Sequence, residues 1–209
     1  MPLADGGDYI NPTPMVSKTR DRLIEVARQL FARKGVDNTT MLDIATASKR
    51  GRRTLYTYFR NKREIHQAVV EREGEQAVAR ERAILQSAES PEVKLREILI
   101  ARYETQRCIS AQKGNDNLSL FNLLEGGRVG KIRKLVALKE IEILKTVLKE
   151  GVDKGIFNPL LAEKLIEPIV LMMLGVDTAT SERQMEEIGM RRDIAFNTAV
   201  DFIVEAVKL

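Results

Sequence analysis

The side chains of this 209-residue sequence that could make directed polar contacts are concentrated between residues 39 and 66, TTMLDIATASKRGRRTLYTYFRNKREIH. Arg52 and Arg53 head a helical run that continues through Thr54, Tyr56, Thr57 and Tyr58, with Thr40 before it and Lys62 after it. A guanidinium can donate two hydrogen bonds to one guanine edge, and a threonine methyl can pack on a thymine methyl. Hydroxyls and an ammonium suit phosphate oxygens. This is the chemistry of recognition rather than of bond making. Chemistry of the other kind has no home in the chain. A single His66 and a single Cys108 exclude a disulfide framework and any site built from several His or Cys ligands. The run Gly126-Gly127-Arg128-Val129-Gly130-Lys131 faintly suggests a phosphate loop, but it lacks the spacing and the following Ser or Thr. With no nucleophile–base pair and no metal constellation, neither an enzyme, a cofactor nor a metal site is expected.

The recognition residues need a scaffold, and the sequence supplies one. Leu55 and Phe59 are four apart, so they share a helix face that is assigned to the core. Arg52, Arg53, Tyr56 and Thr57 then fall on the exposed arcs. Thr40 caps a short preceding helix, with Asp43 in a capping-box relation and Ile44 and Ala45 on its apolar side. Ser48 to Gly51 makes the turn between the two helices. An earlier helix, from about Ser17 to Lys34, carries Leu23, Ile24, Ala27, Leu30 and Phe31 on one stripe and is stopped by Gly35. Asn61, with Glu64 at the matching position, caps a fourth helix that runs from Lys62 to about Ala88. Gly74 weakens its middle. Charge agrees with this reading. Residues 17–63 hold thirteen Lys or Arg and four acids, a net +9, in a chain whose total is +4. A basic quarter on a mildly acidic remainder is the electrostatic footprint of a protein that binds a polyanion.

This stretch resembles the DNA-binding domain of the TetR (tetracycline-repressor) family of bacterial transcription regulators. The matching residues are Thr39-Thr40, Ile44-Ala45 with Ala47, Thr54-Leu55-Tyr56, Tyr58-Phe59, and Asn61-Lys62 with Glu64. The earlier helix with Ala27, Leu30-Phe31 and Gly35 matches as well, and LKTVLKEGVDKGIF at 144–157 resembles the end of the family's central helix. The resemblance implies that Arg52, Arg53, Thr54 and Thr57 face bases, while Thr40, Tyr56, Tyr58 and Lys62 hold the DNA backbone. It also implies a homodimer paired through its last two helices, with a small-molecule effector bound among the C-terminal helices. One departure stands out. The family turn usually runs Ala-Gly-Val, and here Ser48-Lys49-Arg50 occupies it, with Gly51 displaced. Either the turn is rebuilt around Gly51, or Arg50 points outward and the core is filled otherwise.

The rest of the chain reads as helix throughout, giving an all-α protein of about nine helices: a tail (1–16), a helix-turn-helix domain (17–63), and a regulatory and dimerisation domain (64–209). Ser90-Pro91-Glu92 restarts the chain into a helix with Leu95, Ile98, Leu99 and Tyr103 on one side. A short helix is expected at 118–124, a long one at 129–151, and two more at about 160–178 and 190–208. The 160–178 segment is apolar around most of its circumference, which suggests that it packs against a second copy, and Pro168 is expected to kink it. Tyr103, Gln106, Arg107, Phe121 and Asn122 would mix polar anchors into an apolar effector pocket. No apolar run reaches the roughly 20 residues a membrane span needs, and the N-terminus lacks a signal peptide's basic and apolar regions, so a bacterial cytoplasmic protein associated with the nucleoid is expected. The functional expectation is a ligand-released repressor on a palindromic site in double-stranded DNA. The alternative is an architectural, nucleoid-associated DNA-binding protein without an effector.

Overall fold

In the computed structural model, which describes residues 14–110, 127–178 and 187–209, the apolar stripe of the first helix is what organises the N-terminal third. Helix α1 (Pro14–Lys34) buries Leu23, Ile24, Ala27, Leu30 and Phe31 on one side. It ends at Gly35, whose φ of 83° is left-handed and whose N–H donates to Phe31 O at 2.9 Å. Helix α2 (Met41–Ala47) starts at Thr40, and the expected capping box is complete: the Asp43 N–H donates to Thr40 Oγ1 at 3.1 Å, and the Thr40 N–H donates to Asp43 Oδ2 at 2.7 Å. Helix α3 (Arg52–Tyr58) packs against the same core, anchored by buried Leu55 and, just past its end, Phe59. Helix α4 (Lys62–Leu85) opens as predicted, with Asn61 Oδ1 accepting the Glu64 N–H at 3.0 Å. It stops at Leu85, short of the expected Ala88.

Helix α4 joins two separate apolar clusters. Its Ile65, Ala68 and Val69 close the core formed with α1, α2 and α3. Two to three turns later, Val78 enters a larger core built from α5 (Pro91–Ser110), α6 (Arg128–Asp153), α7 (Pro159–Thr178) and α8 (Arg192–Val207). Leu95, Leu99, Leu144, Val147, Ile169 and Val200 are among its fully buried side chains. Gly74 lies between the two clusters on α4, and a Cβ there would overlap Val136 Cγ2 of α6. The residue that weakens α4 as an isolated helix is therefore the one that lets α6 pack against it.

The later helices follow the sequence reading within a few residues. Ser90 Oγ accepts the Val93 N–H at 3.5 Å at the head of α5. Asn158 Oδ1 accepts the N–H groups of Leu160 and Leu161 at the head of α7, which continues helically through Pro168. The long α6 ends where Gly155 takes a φ of 66°. The C-terminus is tied back to the turn after α6, with Asn158 N donating to Val207 O at 2.8 Å and Leu209 N to Ile156 O at 3.1 Å. Among the described residues there are eight helices and, apart from the isolated bridge of Phe157 with Lys208, no strand pairing. The short helix expected at 118–124 lies outside the described residues, as does most of the 1–16 tail. No described helix is long and apolar enough to cross a membrane.

Candidate nucleic-acid interface

Leu55 is fully buried and Phe59 nearly so, which fixes α3 with its opposite side outward. Arg52, Arg53, Tyr56 and Thr57 are all exposed there, as the helical spacing requires. Thr57 Oγ1 donates back to Arg53 O at 3.0 Å. Its hydroxyl hydrogen is thus engaged by the helix itself. Thr54 and Tyr58 are half-buried, and Tyr58 packs against the N-terminal core. The eight residues predicted to meet DNA therefore lie on α3 and at the starts of α2 and α4, but they differ in what they have left to offer.

Thr40 is exposed, and its hydroxyl donates to Asp43 Oδ2 at 2.7 Å. Asp43 is also 2.8 Å from Lys34 Nζ. The Lys34 ammonium above all, then the Thr40 backbone and hydroxyl donors, hold the Asp43 carboxyl far below the usual carboxylate range. The end of α1 is so fastened to the beginning of α2. Lys62 performs a matching task on the other side: its Nζ donates to Val36 O at 2.7 Å and Asp37 O at 3.1 Å, bracing the α1–α2 connection. An ammonium has three protons, and two of those on Lys62 are committed to carbonyls. Sequence spacing does not reveal this second duty, because Val36 and Asp37 are remote in the chain.

The turn between α2 and α3 resolves the choice left open by its sequence. Gly51 has ordinary extended backbone (φ −63°, ψ 147°) and serves as the N-cap of α3. Lys49 takes the left-handed conformation instead, with φ 54°. Arg50 is exposed. The turn is not rebuilt around Gly51; Arg50 points outward. Further cations surround the reader: Arg60 and Arg63 are exposed, and Arg20 lies over the Phe59 ring with its guanidinium carbon 5.4 Å from the centroid.

His66, one turn into α4, meets Phe31 edge-on at 5.8 Å between ring centroids. Burial above all, then the nearby Arg133 charge of α6, lowers its pKa, so the imidazole is neutral at neutral pH. It is a packing residue between α4 and α1.

The C-terminal half carries a second group of polar side chains that the sequence reading missed. Glu81 of α4, Arg102 of α5 and Glu140 of α6 are all buried. Arg102 Nε lies 3.2 Å from Glu140 Oε2. Neither Glu81 carboxylate oxygen has a hydrogen-bond partner. Burial first, then the Glu140 charge, pushes the Glu81 carboxyl up to about 8, with Arg102 opposing. Of the expected effector residues, Tyr103 is buried and stacked on Phe196 at 4.1 Å and 11°. The side chains of Gln106 and Arg107, and the whole of Phe121 and Asn122, lie outside the described residues. Among the described residues no group of His, Cys, Asp and Glu is placed to hold a metal ion.

Comparison with known proteins agrees with this geometry. Residues 23–69 match the model of the tetR family of bacterial regulatory proteins. The chain is 29% identical over 148 residues to the HTH-type transcriptional repressor KstR2 of Mycolicibacterium smegmatis, covering 67% of this chain and 68% of that one. The fold is shared with a TetR/AcrR-family transcriptional regulator from Thermobifida fusca (TM-score 0.70, 22% identity, 90% of this chain and 97% of that one). It is shared also with a transcriptional regulator from Saccharomonospora viridis solved in complex with choline (TM-score 0.68, 19% identity, 90% and 96%).

Proposed function

We propose that this chain, whose residues 23–69 match the tetR family of bacterial regulatory proteins, is a DNA-binding transcription regulator that acts as a homodimeric repressor on a palindromic operator and is released by a small-molecule effector. The observation that carries the reading is α3 itself. A helix held by Leu55 and Phe59 turns Arg52, Arg53, Tyr56 and Thr57 to solvent at the most basic part of the chain. In a major groove, Arg52 and Arg53 donate to guanine edges and the methyl groups of Thr54 and Thr57 meet thymine. Thr40, Tyr56, Tyr58 and the third proton of Lys62 contact phosphates on either side.

Dimerisation is supported by the outer faces of α7 and α8. Phe202 is 72% exposed and Leu171 71%, with Ile194 and Leu161 also exposed on the same two helices. Apolar side chains this large and this open on adjacent helices mark a surface that another protein covers, and a second copy would complete a four-helix bundle. Two readers held by that bundle enter successive major grooves roughly 34–36 Å apart. An effector in the α4–α8 half changes that spacing through α4, whose two ends belong to the two cores. The choline complex of the S. viridis relative supports a small-molecule effector.

Selection of bound sequences from a random duplex library tests the reading, followed by affinity against salt for the winner. A palindrome preferred by roughly 10³ or more over other duplexes is the expected result. Uniform binding to every duplex would establish the architectural alternative instead.

A further inference from the structure

The turn between α2 and α3 is well made in its backbone and poorly made in its side chains. Arg50 N donates to Ala45 O at 3.1 Å and Lys49 N to Thr46 O at 3.1 Å. With Ser48 as the C-cap, these two bonds define a Schellman motif. The motif favours glycine at its left-handed position and an apolar residue directly after it, where the side chain packs back on the helix. This chain has Lys49 at the first position, the only non-glycine residue with positive φ among the described residues. It has Arg50 at the second, exposed to solvent. Gly51, which would suffer nothing from a Cβ, stands two residues beyond the place where glycine is needed.

Two neighbouring positions thus sacrifice local stability, and both carry a cation in exchange. Backbone strain held at a defined place is a pointer to function. The surroundings say which function. Lys49 and Arg50 run directly into Arg52 and Arg53, and all four are exposed. None of the four forms an ion pair with a described residue, whereas Arg28, Lys34 and Arg72 of the same half are paired with Glu25, Asp43 and Asp21. Four uncompensated positive charges at the leading end of α3 match a polyphosphate backbone.

We propose that Lys49 and Arg50 grip the phosphate backbone of double-stranded DNA beside the groove that α3 enters, adding affinity without sequence preference. The inference rests on the DNA-binding reading above. Its test is the salt dependence of binding to one fixed duplex, together with thermal unfolding, for the wild-type chain, K49G/R50V and K49R/R50K. Each lost phosphate contact lowers the slope of log affinity against log salt by about 0.9, so K49G/R50V should lose about 1.8 per bound protomer. It should bind at least tenfold more weakly at low salt, keep its ranking of duplex sequences, and unfold roughly 2–4 °C higher as the turn relaxes. K49R/R50K should keep the wild-type slope. An unchanged slope in K49G/R50V, with wild-type binding intact, overturns the inference and leaves the DNA-binding reading standing. A changed ranking of sequences would make these residues base readers and overturn the phosphate assignment. A wild-type chain that binds no duplex in a salt-dependent way overturns both.

Discussion

Replacing Glu81 by glutamine should make the protein's stability less sensitive to alkali, and the size of the effect follows from where Glu81 sits. The side chain is 1% exposed, and neither oxygen is hydrogen-bonded. Its carboxyl titrates at about 8 in the fold against 4.5 for the ordinary group. Between those values the folded chain holds one proton that the unfolded chain has released. Folding therefore loses about 1.4 kcal/mol of stability for each pH unit gained. From pH 5 to pH 8 the loss reaches up to about 4 kcal/mol, against the total of roughly 5–15 kcal/mol typical of a domain. Glutamine has nearly the shape of the protonated acid and no charge to release. At pH 5 the two proteins should unfold in urea within about 1 kcal/mol of each other. By pH 8 E81Q should lead by several kcal/mol. His66, with its lowered pKa, contributes a slope of opposite sign, since the unfolded chain then binds the extra proton and stability rises with pH below about 6.5. It does so in both proteins and cancels in the difference. A gap between the two urea midpoints that stays constant from pH 5 to pH 8 would refute the buried-acid argument.

Three other outcomes can be checked independently. Phe202→Glu puts a charge on the proposed dimer face without touching the core, so sedimentation at micromolar concentration should show a 24 kDa monomer instead of a dimer; a dimer that persists would place the interface elsewhere. Arg53→Ala should cost about 1–3 kcal/mol on the preferred duplex and relax selection at one base position, and an equal loss on every duplex would make Arg53 a phosphate contact. Gly74→Ala improves helix propensity by up to about 1 kcal/mol, yet should destabilise by about 1–3 kcal/mol on balance, because the added methyl overlaps the stiff Val136 side chain; a stabilised variant in chemical denaturation would mean that α6 yields easily.

Local signals were the legible ones. Thr40 with Asp43, Asn61 with Glu64, Gly35 after Phe31, and the Leu55–Phe59 pair are each settled within four or five residues of chain, and each stands where spacing put it. What spacing could not supply was anything decided by a distant partner. Lys62 is braced against Val36 and Asp37, and nothing in its neighbours says so. Gly74 reads as a weak point in a helix until Val136 is seen against it. Glu81 lies in a stretch so rich in charge that nothing local marks it as buried, and only the packing of α5 and α6 around it makes it a buried acid. Lys49 misled for another reason. The glycine two residues later was the stronger turn signal, and a lysine seldom takes a positive φ unless the surrounding backbone leaves it no choice.

Helix α4 gives the two cores a common rod. Gly74 sits against α6, and Ile65 is embedded in the reader nine residues away, about 13 Å along the axis at 1.5 Å per residue. If that rod turns about its contact with α6, every degree carries the root of the reader by about 0.2 Å, and a swing of 10° by about 2 Å. In the proposed homodimer, two such rods moving in opposite directions would double the displacement to about 4–5 Å, a sizeable fraction of the roughly 12 Å width of a major groove. A tilt too small to disturb either core would then be enough to take both reading helices out of register with the duplex.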